Sequence, residues 1–151
     1  MRLYTFCNFY LSSIQQGIQS AHCLHEMFIK YDDVTYNPFN KALNWNDNEL
    51  SSKEVLHGWA ANHKTMIVLN GGDSLSLSGI LAKIQILASA CNLPYTSFCE
   101  DERSLNNALT CVGIILPESV YEYDVTAPNA EVINPFAFAL KCLISQYPLA
   151  R

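Results

Sequence analysis

The chain has 151 residues, of which 50% are hydrophobic and 15% charged, enough apolar matter for one domain with its own core and too much for a disordered segment. Its net charge is −5, and its nine Lys and Arg are scattered with no two adjacent. A protein that grips a long phosphate backbone ordinarily carries a basic stripe, so tRNA is disfavoured as a partner, whereas a small anionic ligand needs only one or two cations or a helix N-terminus.

The six cysteines, Cys7, Cys23, Cys91, Cys99, Cys111 and Cys142, form no C-x-x-C pair. No metal site and no cofactor are therefore expected. The thiols read as free, small hydrophobes in a reducing compartment. No signal peptide and no apolar run of membrane-spanning length are read in the sequence, so a cytoplasmic protein with no membrane partner is expected.

Residues 3–11 are aromatic and apolar and predict a buried strand. Ser12 or Ser13 then caps a helix running to about Lys30. Residues three and four apart share a helix face, so Gln15, Gln19, His22 and Glu26 form a polar stripe beside an apolar one of Ile14, Ile18, Ala21, His25 and Phe28. The polar stripe suits either a site or a solvated face. Gly17 costs about 1 kcal/mol relative to Ala inside a helix, which either close approach of a ligand or simple tolerance explains.

Residues 31–50 have no period, and their Asn, Asp and Pro mark turns. Tyr36, Phe39 and Trp45 give this insertion its own aromatics. Ser51 or Ser52 caps a short helix over Lys53–Asn62, with Val55, Leu56 and Trp59 on its apolar face. Lys64–Leu69 predicts a strand that ends at Asn70-Gly71-Gly72-Asp73. That glycine pair lacks the spacing of a phosphate-binding loop. Ser74 or Ser76 caps a second long helix, in which Leu77, Ile80, Leu81, Ile84, Leu87, Ala88 and Cys91 recur at helical spacing. Tyr95–Phe98 predicts a short strand, Glu100–Ser104 an acidic loop, and Ala108–Leu116 the last strand. The short link between the final two strands makes them antiparallel, giving an α/β sandwich, three-layer-like, with a mixed four-stranded sheet flanked by helices. Residues 120–135 read as a linker. Residues 136–147 predict a closing helix or dimer contact, with Asn134 as cap and Pro135 at the first helical position.

With these segments in place, the chain resembles the archaeal and eukaryotic (type II) peptidyl-tRNA hydrolases over residues 1–118, interrupted by the insertion at 31–62. The tail at 119–151 has no counterpart in the resemblance. The family pattern K-x-x-x-Q-x-x-H-A at the first helix is matched in frame by Gln15, Gln19 and His22. The family's D-A-G-x-T segment and following G-I strand are matched by Glu100–Ser104 and by Gly113-Ile114. The chain is most similar to short divergent relatives of phages and bacteria, which would place a phage-encoded copy in the host cytoplasm. The resemblance implies a homodimer. It also implies catalytic roles for Glu100 or Asp101, which would activate water, for Ser104, which would position it, and for His22. Gln15 stands where the enzymes carry a lysine, a loss that removes a charge-assisted bond of about 1.5–3 kcal/mol to phosphate.

Three functions follow as expectations. In the first, a diverged member binds a small nucleotide-derived ligand, sequestering or cleaving a host signal molecule. Gln15, Gln19, His22, Gly17, Arg103 and Trp59 would form its ligand site. The second is genuine hydrolysis of peptidyl-tRNA. The third is a non-catalytic oligomeric interaction module.

Overall fold

The structure, a computed structural model, describes residues 1–31 and 51–150. The aromatic residues Tyr36, Phe39 and Trp45 lie outside the described residues.

Strand β1 spans Arg2–Cys7, shorter than the run of apolar residues suggests. Asn8 stops it, because its side-chain oxygen accepts the Tyr10 N–H and turns the chain. Phe9 and Tyr10 are consequently exposed, not buried. Helix α1 runs Ser13–Tyr31. Ser12 caps it in a reciprocal box: Ser12 Oγ accepts the Gln15 N–H, and Gln15 Oε1 accepts the Ser12 N–H. Helix α2, Ser52–Gly58, has the same device built from Ser51 and Glu54. It continues into one π-helical turn, Trp59–His63. Strand β2 (Met66–Asn70) leads through Gly72, whose φ of 82° needs glycine, into α3, Ser74–Ala90. The cap of α3 is Asp73, which accepts the Ser76 N–H, and neither serine expected for that role. Strand β3 (Tyr95–Cys99), a single turn α4 (Glu102–Leu105) and strand β4 (Leu109–Leu116) follow. The tail forms α5 (Glu118–Tyr121), α6 (Ala130–Ile133) and α7 (Pro135–Ser145), the last capped by Asn134 with Pro135 at its start.

The four strands make one mixed sheet in the order β2-β1-β4-β3. β1 and β2 are parallel, and β4 is antiparallel to both β1 and β3. Alternation along the strands assigns the two faces. Tyr4, Phe6, Val112, Ile114 and Leu116 meet α3 and α7 in the larger core. Leu3 and Ile115 meet α1, α2 and Trp59 in a second cluster, and Cys7 and Cys111 meet Cys23 of α1 in a third. The chain is thus an α/β domain with helices on both faces of the sheet. Residues 135–144 belong to the main core through Ala137, Leu140, Leu143 and Ile144.

Both edges of the sheet are occupied in part. On the β2 edge, Ala150 N–H bonds the Val68 carbonyl and Asn70 N–H bonds the Pro148 carbonyl. On the β3 edge, the Tyr31 hydroxyl accepts the Tyr95 N–H and donates to the Tyr95 carbonyl, which Lys30 also reaches. No helix among the described residues is long and apolar enough to cross a membrane.

Candidate functional site

The carboxyl ends of β1, β2 and β3 and the start of β4 lie at one end of the sheet, where ligands of open α/β folds usually sit. Asn8 ties the loops there together. Its backbone N–H bonds the Thr110 carbonyl, and its side-chain amide donates to Ser74 Oγ at 3.3 Å. Ser74 Oγ in turn donates to the Leu109 carbonyl.

The centre of the site is made by an irregularity in β4. Phe98 pairs with Cys111 and Cys99 with Leu109, so Thr110 has no partner across the ladder. Strict alternation would turn Thr110 toward α3, because Cys111 and Gly113 face α1. The bulge instead brings its hydroxyl to the α1 side, the kind of re-aiming that bulges perform. Thr110 Oγ1 donates to Gln19 Oε1 at 3.0 Å, with the Phe98 carbonyl 3.3 Å away. Gln19 Nε2 donates to Glu100 Oε1 in a short bond. A hydroxyl on one side and a carboxylate on the other fix which way the Gln19 amide points. Glu100 is half-buried, and its second oxygen has no protein partner among the described residues. One turn beyond Gln19, the exposed His22 ring lies 4.7 Å from that of Phe98 at 58°. No Lys or Arg takes part in these contacts among the described residues.

The inward face of α1 is unusual in composition. Gln16, Gln19, Ser20, Cys23 and Met27 are its buried residues, whereas Ile14 and Ile18 of the apolar stripe are 76% and 48% exposed. Ser20 Oγ donates to the Gln16 carbonyl, and its oxygen lies 2.9 Å from Thr5 Oγ1 and 3.3 Å from Cys7 Sγ. Gln16 donates its amide to the Leu11 carbonyl, while its buried Oε1 has no partner among the described residues. The helix therefore sits on the sheet through a polar and thiol seam at its start and through hydrocarbon only near Met27.

Gln19, Glu100 and His22 are thus gathered at one place, with Thr110 and Asn8 added to them. The other expected residues lie elsewhere. Gln15 is exposed, and its oxygen is committed to the cap on Ser12. Gly17 is exposed, and a Cβ built there meets nothing within 4 Å among the described residues, so none of these requires glycine at this position. Trp59 is a correction: it is 5% exposed, packed with Leu3, Met27 and Leu56, and its indole N–H bonds the Thr65 carbonyl. Its hydrogen bond and burial leave no face for stacking on a ligand. Asp101 and Arg103 are exposed, and the Asp101 carbonyl accepts the Leu105 N–H to close α4. Ser104 is in α4, and its side chain lies outside the described residues. Asn8 had no distinguishing signal in the sequence. Thr110 depended on strand register, which the sequence does not display.

A groove of about 340 Å³ between α3 and α7 is lined by Lys83, Ile86, Leu87, Ala139, Leu143 and Gln146. It lies on the opposite face and shares no residue with the Thr110–Gln19–Glu100 relay. Its apolar walls offer little to orient a polar molecule. All six thiols are free, and no cluster of potential metal ligands occurs among the described residues. No protein-family model matches the chain, and no curated protein is significantly similar to it.

Proposed function

We propose that this end of the sheet binds a small nucleotide-derived ligand, in a diverged fold of the type II peptidyl-tRNA hydrolase kind. The observation that carries the reading is the Thr110–Gln19–Glu100 relay. It holds a half-buried carboxylate, one oxygen of which has no protein partner among the described residues, beside the His22–Phe98 ring pair. A carboxylate oxygen accepts from the amino edge of a base or from ribose hydroxyls, and the ring pair offers a surface for stacking. The absence of cations from the relay among the described residues and the commitment of Gln15 to its cap favour a ligand recognised by its base or sugar over one held by phosphate.

Native mass spectrometry and a thermal-shift screen against cellular nucleotides test this reading. A co-purified or stabilising nucleotide is expected, with affinity falling about ten- to hundredfold in Glu100→Gln, since a bond to a charged acceptor contributes about 1.5–3 kcal/mol. No bound species and no shift would remove the ligand and leave the interaction module.

One contact favours hydrolysis of peptidyl-tRNA as the second reading. The Gln19–Glu100 bond joins the two segments on which the family resemblance rests. Glu100 would then activate water by general-base catalysis. Cleavage of a peptidyl-tRNA mimic that disappears in Glu100→Gln would establish that reading over simple binding.

A further inference from the structure

Directly behind the relay, Cys7 of β1 faces Cys111 of β4 across the ladder. The next pair is hydrogen bonded, Asn8 N–H to the Thr110 carbonyl, while the Cys7 carbonyl accepts Gly71 N–H from the opposite side. Cys7 and Cys111 therefore form a non-hydrogen-bonded antiparallel pair, in which Cα atoms approach to about 4.5 Å. That separation lies inside the disulfide range of about 4.4–6.8 Å. Their sulfurs are 3.6 Å apart, and both side chains are fully buried. Cys23 closes the cluster from α1, seated on Gly113 so closely that a Cβ there would lie 2.9 Å from its sulfur.

We propose that Cys7 and Cys111 are a reversible dithiol–disulfide pair whose closure resets the position of the Thr110 hydroxyl. The oxidant is hydrogen peroxide, small enough to enter when α1 fluctuates off its polar seam. The Cys7 thiolate attacks one peroxide oxygen and the O–O bond breaks. The products are a sulfenic acid on Cys7 and, after proton uptake, one water. The Cys111 sulfur then attacks the Cys7 sulfur, the S–O bond breaks, and the S–S bond forms as the second water leaves with the Cys111 proton. Two thiols are oxidised, and one peroxide is reduced to two waters. Cys7 is the better first nucleophile. Its hydrogen bond with Cys111, and then that with Ser20, draw its pKa below the ordinary thiol value, whereas burial pushes Cys111 up.

Closure shortens the sulfur separation from 3.6 Å to about 2.0 Å. The strain falls on residues adjoining both cysteines, since Asn8 follows Cys7, Thr110 precedes Cys111, and these two are bonded to each other. The bulge that aims Thr110 at Gln19 lies on the other side of β4, in its pairing with β3, directly beside Cys111, and is the place where the strand yields. Any effect on ligand affinity rests on the function proposed above, whereas the disulfide and the movement of Thr110 do not.

The test uses the full chain with Cys91, Cys99 and Cys142 changed to Ser, so that only the buried thiols remain. After peroxide treatment of the folded protein, alkylation in denaturant and a non-reducing peptide map should reveal a Cys7–Cys111 link that dithiothreitol reverses. The side-chain amide resonances of Gln19 should shift on oxidation and return on reduction, with neither the link nor the shift in Cys111→Ala. Should the triple variant fail to fold, the same map on the wild-type chain identifies the partner of Cys7. Recovery of both thiols fully alkylated, or a link to Cys23 instead, would overturn the pairing. A Cys7–Cys111 link with unmoved Gln19 resonances would overturn the control of Thr110.

Discussion

Gly17 lies on the open side of α1 with space where a side chain would be. Glycine inside a helix loses more conformational freedom on folding than alanine, so Gly17→Ala should stabilise the protein by about 0.5–1 kcal/mol in urea denaturation. A ligand that packs against this turn would turn the same substitution into a loss of affinity, which titration with a bound nucleotide would read separately. Individual residues were the least legible part of the sequence. Gln15 and Gln19 are both glutamines on one stripe, yet one caps its own helix and the other spans from α1 to β4 and to the loop after β3. Only the strand that happens to lie beneath decides between those fates. Trp59 was equally ambiguous, since an indole suits a core and a stacking site alike until its N–H is seen to have a carbonyl.

Helices and strands were more readable, because their periods survive any tertiary arrangement. The stripe of α3 is the clearest case: Leu77, Ile80, Ile84 and Ala88 are all buried as their spacing requires. Its cap carries a pH signature. Asp73 accepts the Ser76 N–H, which holds its carboxyl below the usual value. A carboxylate with a depressed folded pKa adds stability that is present above its unfolded pKa and is lost as pH falls through the folded one. Asp73→Ala should therefore lower the melting midpoint at neutral pH. The gap to wild type should narrow below about pH 4 and vanish once the folded carboxyl is protonated. α1 was legible in extent but not in orientation. Its inward residues at 16, 20, 23 and 27 keep helical spacing, yet Gln, Ser and Cys do not announce a buried face. Hydrogen-bonding groups that satisfy one another under a helix look, in a sequence, like groups that face water.

On the scale of the whole molecule, the mixed sheet with its antiparallel final strand followed from the order and linkage of the elements. The place of the tail did not, because it depends on contacts between residues far apart in the chain. α7 lies over the same core as Phe6 and Ile80, with Leu140 fully buried. Leu140→Ala should cost about 2–5 kcal/mol, read as a lowered denaturation midpoint. A detachable arm would leave that midpoint unchanged. The sheet edges described earlier bear on how copies of the chain can meet. An unpaired strand is a template onto which another chain can add. Here the β2 edge is partly covered by the tail, and at Tyr95 one phenol oxygen stands in for a neighbouring strand by serving both a donor and an acceptor. Tyr31→Phe removes that oxygen and should yield concentration-dependent species larger than wild type in light scattering. Growth by adding strands is thus held back where Tyr31 and the tail sit.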